Sequence, residues 1–235
     1  MDRQEIKENF ESLRITPEQK FGFRCKQCGN CCKDIDVLLT AFDICRLAKK
    51  LGITNIDVIK KYTDVYIGRE SRLPVIALKM NNPGQACVFL TEGGKCSVHD
   101  ARPTVCRLYP LGRGIPESKL SEKERIDSVE FCLKPVYCGA RNELHTVETW
   151  TQMSIEEHKE EFVAWQNMLR TCMTVIKDAL ENYSEAITNV VYELIFAGMY
   201  INYEGEDSIS AQVSRNEKNI ATTYEECKKA STQNT

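Results

Sequence analysis

Histidine is scarce in this 235-residue chain: there are three, against twelve cysteines. An excess of charge of one sign is missing too, with 31 Lys and Arg set against 34 Asp and Glu and a formal net charge of -3. Nucleic acid and acidic membrane surfaces are bound through basic patches or stripes. The balanced charge therefore predicts no nucleic-acid partner.

Long hydrophobic runs are also lacking. A bilayer-spanning helix needs about 18 or more consecutive apolar residues, whereas the best candidate, from Val190 to Ile201, is short and carries Glu193. The opening Met1-Asp2-Arg3-Gln4-Glu5 has neither the basic start nor the apolar stretch of a signal peptide. These absences predict a cytoplasmic protein with no membrane partner. There is no internal repeat, and Gly112-Arg113-Gly114 is too small a fragment to read as a phosphate-binding loop.

What is abundant is cysteine. In a reducing compartment thiols commonly serve metals or catalysis rather than disulfides. The run Cys25-Lys26-Gln27-Cys28-Gly29-Asn30-Cys31-Cys32 packs four thiols into eight residues. A C-x2-C spacing lets two thiolates curl onto one metal, and a glycine after the second relieves backbone crowding. Three cysteines at C-x2-C-x2-C also match the first part of a ferredoxin-type run, whose fourth ligand comes from elsewhere. Here that fourth is Cys32 or a distant residue.

Downstream, Cys87, Cys96 and Cys106 lie in a stretch dense with turns, and Cys132 and Cys138 flank Pro135. The predicted metal ligands are Cys25, Cys28, Cys31, Cys32, Cys87, Cys96, Cys106 and Cys132, with Cys138 the alternative to Cys132. Sulfur-rich ligation favours an iron-sulfur cluster of the 4Fe-4S type, although zinc accepts four thiolates equally well. His99 is a further candidate ligand. Arg102 and Arg107 flank the same loop and would counter a cluster's negative charge or bind an anionic substrate or cofactor. Cys45 and Cys172 fall within helical patterns and are assigned to packing, and Cys227 lies in a polar stretch.

Periodicity predicts a mostly α fold with a small β-hairpin, a cysteine-rich, metal-stabilised core and a C-terminal helical hairpin. Residues 1–20 hold an amphipathic helix with Ile6, Phe10 and Leu13 on one face, broken at Pro17; residues 21–140 form the cysteine-cluster domain. Within it, Thr40 to Asp43 reads as a capping box for a helix with Ile44, Leu47, Ala48 and Leu51 inward and Gly52 at its stop. Thr54 starts a second helix, predicted to run to about Ile67. Residues 73–80 and 87–91 read as hairpin strands, 107–112 as loop, and 117–130 as exposed charged chain. Residues 141–204 supply the helical hairpin: one helix from Ser154 with Phe162, Trp165, Leu169, Met173, Ile176 and Leu180 inward, and one from Ser184 with Ile187, Val190, Val191, Leu194 and Ile195 inward. Residues 205–235 read as a polar tail, weakly ordered or a surface helix.

The run from Phe23 to Cys32 resembles the signature of the CxxCxxCC cysteine-cluster family, also called YkgJ-type, of zinc- or iron-chelating domains. Leu39-Thr40-Ala41-Phe42-Asp43-Ile44, the pair of segments around Cys87 and Cys96-Ser97-Val98-His99, and Ala101-Arg102-Pro103-Thr104-Val105-Cys106-Arg107 are similar to its later blocks. The resemblance covers about residues 21–140 and implies a metal cofactor. Members of the family include flagellin lysine N-methylases, so it also brings S-adenosylmethionine into consideration as a cofactor and a protein as substrate or partner. Three readings follow: an iron-sulfur protein, including an oxidoreductase; a structural zinc module that presents a surface to a protein partner; and a protein lysine N-methyltransferase.

Overall fold

The computed structural model describes residues 3–33, 35–81, 86–114, 129–136, 138–155, 159–204 and 207–233. Helix α1 (Arg3–Ser12) leads through β1 (Arg14–Ile15) to β2 (Phe21–Arg24), and the motif loop ends in a 3-10 turn at Asn30–Cys32. The two predicted caps then start α2 (Ala41–Leu51) and α3 (Asn55–Tyr62). Thr40 Oγ1 accepts from the Asp43 amide at 3.2 Å while Asp43 Oδ2 accepts from the Thr40 amide at 3.0 Å, closing the capping box. Gly52 ends α2 in the left-handed conformation, where a side chain would be strained.

The second helix stops five residues short of the predicted end. Thr63 Oγ1 donates to the Ile59 carbonyl at 2.7 Å, and the β-branched and aromatic residues that follow form β3 (Thr63–Ile67) instead. It pairs antiparallel with β4 (Pro74–Leu78), and β5 (Met80–Asn81) pairs with β6 (Ala86–Cys87). Two small hairpins thus stand where one was predicted. The segment predicted as loop at 107–112 includes the end of α4 (Thr104–Leu108) and the start of β7 (Leu111–Gly114). Next come β8 (Glu130–Leu133) and β9 (Ala140–His145), giving a three-stranded sheet in the order β1-β8-β7 and a β2-β9 pair. Most of the charged stretch predicted as exposed, at 117–130, lies outside the described residues.

The remaining helices are α5 (Val147–Ile155), α6 (Lys159–Asn182), α7 (Glu185–Phe196), which runs on as a π turn to Ile201, and α8 (Ile209–Gln233). Residues of the predicted Ser154 cap fall partly outside the described residues. Helix α6 buries Trp165, Met168, Cys172, Val175, Ile176 and Ala179, but Met173 and Leu180 are 45% and 46% exposed. On α7, Val191 and Ile195 point inward while Val190 is 62% exposed. The apolar residues of both helices cover more than one face, and packing selects the stripe. Helix α8 takes part in that selection: Val213, Ile220 and Tyr224 are buried in the main core, and Thr171 Oγ1 donates to Glu217 at 2.7 Å. The C-terminal hairpin is therefore one part of a three-helix layer.

Two cores result. The larger runs from Val37, Ile44 and Leu47 through Leu78 and Phe89 to Met168 and Ile195. The smaller gathers Phe21, Phe23, Leu111, Val147 and Trp150. Among the described residues no helix is long and apolar enough to cross a membrane.

Candidate metal centre

The motif loop reaches its position by close backbone approach. Gly29 has φ +72°, and a Cβ there would stand 2.7 Å from the Gly94 carbonyl oxygen and from Leu90 Cδ1. Only glycine lets the loop lie against the turn that precedes Cys96. Gly139 does the same on the other side: at φ +78°, its absent Cβ would meet the Arg24 carbonyl oxygen and the Phe23 ring, each at 2.7 Å. That contact brings Cys138 to the motif. A backbone bridge between Lys33 and Ala86 sets Cys32 beside Cys87, and another between Leu90 and Cys96 closes the turn.

These approaches enclose one cavity of about 70 Å³, lined by Cys25, Cys28, Cys31, Cys32, Cys87, Cys96, Cys106 and Cys138. Its walls come from both cores: Phe23, Tyr109 and Trp150 on one side, and Val37, Leu78 and Phe89 on the other. Phe23 meets Tyr109 and Trp150 edge-on, each at 5.5 Å, and Trp150 Nε1 donates to the Leu108 carbonyl at 2.9 Å. These contacts and the hydrogen bond set the orientation of the aromatic wall.

Burial pushes the thiol pKa values of Cys87, Cys96, Cys106 and Cys138 up. Cys31 is raised as well, first by its hydrogen bond with Cys32 and then by burial. Exposed Cys28 is lowered, chiefly because the Asn30 amide donates to its sulfur. Partial burial thus favours the protonated form of the inner thiols, and the amide contact favours the thiolate of Cys28; a metal that displaces protons there would be bound in a pH-dependent way. Among the described residues no three His, Cys, Asp or Glu side chains meet at metal-holding geometry. The sulfurs line a wall around a space instead of converging on one point.

His99 Nε2 lies 3.8 Å from Cys25 Sγ and also contacts an Arg102 guanidinium nitrogen. Burial, followed by the nearby Arg102 charge, lowers the His99 pKa. Arg102 Nε is buried and finds no hydrogen-bond partner among the described residues. A buried orphan N–H on a cation beside a sulfur cavity suits an anionic occupant.

Two of the predicted site residues stand apart from the cavity. Cys132 does not line the cavity: it is buried in the middle strand of its sheet, opposite Arg14 and Gly112, and its sulfur would stand 2.8 Å from a Cβ on Gly112. Strand pairing holds it there, and Cys138, past the end of that strand, reaches the cavity. Arg107 lies on α4 outside the cavity wall, whereas Arg102 lines it. Cys172 is buried among the helices, where burial raises its thiol pKa to about 12, and Cys45 accepts from the Asn55 side chain at 3.3 Å. Both pack, as predicted. His145 contacts the Phe23 carbonyl through Nε2 at 2.9 Å, and His158 lies outside the described residues.

Asp43 supports the cavity wall from behind, where the sequence showed it only as a cap. Its Oδ1 accepts from Arg46 Nη2 at 2.7 Å and from Thr104 Oγ1 at 2.9 Å, which ties α2 to the start of the helix that carries Cys106. The aromatic wall was likewise missed, since Phe23, Tyr109 and Trp150 meet across long sequence separations.

A cavity walled by eight cysteines within a mostly helical fold defines a cysteine-rich protein. Residues 24–139 match the CxxCxxCC family, described as "Putative zinc- or iron-chelating domain", and the chain belongs to that family. A similar relative is an uncharacterized protein of Methanocaldococcus jannaschii, MJ0661, 29% identical over 119 residues. That match takes in 50% of this chain and 60% of the relative, so the chain spans about three fifths of the relative's length. No solved structure matches the chain.

Proposed function

We propose that the chain is an iron-sulfur protein of a reducing, cytoplasmic compartment, its cluster held by motif thiolates together with thiolates from the later cysteines. The supporting observation is the donor set: eight thiols and one partly buried histidine around a single cavity. Soft sulfur donors suit iron-sulfur clusters and zinc, whereas hard cations prefer oxygen. A water needs about 10–15 Å³ by the same measure of free space, so the cavity exceeds what one bare ion fills. Arg102, with its orphan Nε, supplies the positive charge that an anionic cluster would need.

A zinc reading has its own support: Cys87 and Cys106 are deeply placed, and a closed thiolate site contributes stability instead of chemistry. Iron, zinc and acid-labile sulfide measured on protein purified without oxygen, with its visible spectrum, separate the two. Iron with matching sulfide and thiolate-to-iron charge-transfer colour is expected. Colourless protein with stoichiometric zinc would overturn the iron-sulfur reading and leave the zinc one standing.

A further inference from the structure

We propose that the thiols of this cavity form two metal centres: a buried one built on Cys87, Cys96 and Cys106, and a solvent-facing one built on Cys25, Cys28 and Cys138. The Cys31–Cys32 pair gives one thiol to each. This inference rests on the metal-binding reading and goes beyond it by dividing the ligands.

The two sets belong to different parts of the fold. Cys87, Cys96 and Cys106 pack against the larger core, as does Cys32, which the Lys33–Ala86 bridge holds at the side of Cys87. Cys138 packs against the smaller core, where its thiol donates to the Tyr109 hydroxyl at 3.6 Å and also hydrogen-bonds Cys28. Cys25 and Cys28 are exposed at the mouth. Cys31 stands between the sets, hydrogen-bonded to Cys32 and Cys138 and within electrostatic reach of Cys87, Cys96 and Cys106.

Stoichiometry agrees with this division. A closed thiolate centre takes four sulfurs, and this wall carries twice that number. Cys31 and Cys32 are neighbours in a 3-10 turn and their thiols hydrogen-bond to each other, so the pair stands at the junction of the two sets. The buried centre would hold the fold closed, and the outer one, at the mouth and beside the aromatic wall, would meet substrate or electron partner.

The test is anaerobic titration of the metal-free, reduced full chain with cobalt(II), read by thiolate charge-transfer and d–d absorption. About two cobalt ions per chain are expected, each in four-thiolate coordination. C28S and C106S should each lower the capacity about twofold, and the double variant should bind none. Saturation at one ion, with either single variant abolishing binding, would overturn the division while leaving the metal reading intact. Wild-type protein that binds no cobalt would overturn the metal reading itself. C138S and C96S serve as second variants for the outer and inner sets, with circular dichroism showing which variants keep their helices.

Discussion

Asp43 Oδ1 accepts a hydrogen bond from the Thr104 amide at 2.8 Å, joining the first capped helix to the first residue of the helix that carries Cys106. The carboxylate is 1% exposed and also pairs with Arg46, which in turn reaches Glu161 on α6 at 2.8 Å. One side chain thereby locks the helix of a cavity-lining cysteine onto the core.

Replacing Asp43 with Ala would leave Arg46 and the Thr104 amide without their buried acceptor. Breaking a buried pair this way costs about 3–5 kcal/mol. At roughly 2–4 °C per kcal/mol for a chain of this size, the melting temperature should fall by about 6–20 °C. Glu161→Gln, at the partly exposed end of the network, should cost about 1 kcal/mol or less. Thermal melts at fixed metal load measure both, and equal losses would contradict the anchoring role of Asp43.

Gly139→Ala should lower metal retention more than Gly52→Ala. Both glycines have positive φ, but only at Gly139 would the new Cβ also strike backbone, at 2.7 Å from the Arg24 carbonyl oxygen, while at Gly52 it meets nothing within 4 Å. Metal content after gel filtration is the readout, and retention equal to that of Gly52→Ala would separate Gly139 from the site.

Cys138→Ser should reduce bound metal, whereas Cys132→Ser should leave metal content unchanged and affect only stability. The reason is position: Cys138 lines the cavity and Cys132 lies in a paired strand. Metal loss in Cys132→Ser with none in Cys138→Ser would reverse this assignment.

Helix α8 carries a pH-dependent contact. Lys228 bonds Asp178 at 2.9 Å and the Tyr224 hydroxyl donates to it at 2.8 Å, and together they hold the Asp178 carboxyl below the usual range. A carboxyl depressed in the folded state stabilises above its unfolded pKa, about 3.9, and that contribution is lost as the pH falls through the lower folded pKa. The melting difference between wild type and Asp178→Asn should therefore be full near neutral pH and vanish in strong acid. A difference that grows on acidification would contradict the contact.

How much was legible depends on range. The caps at Thr40 and Thr54, the stop at Gly52, the cysteine motif and the packing roles of Cys45 and Cys172 follow from residues within one or two helical turns of each other, so the sequence alone determined them. It also determined the sulfur-rich chemistry, because twelve cysteines against three histidines leave few other soft donors. Only the tertiary structure decided the rest. Strand pairing removed Cys132 from the cavity and the tight approach at Gly139 brought Cys138 in. Competition among three helices chose which apolar stripe of α6 and α7 turned inward. Burial of Val213, Ile220 and Tyr224 made a helix of the core from a segment whose average composition is polar. These outcomes turn on contacts between distant residues, whose free energy depends on what each side chain meets, and local pattern carries no record of that.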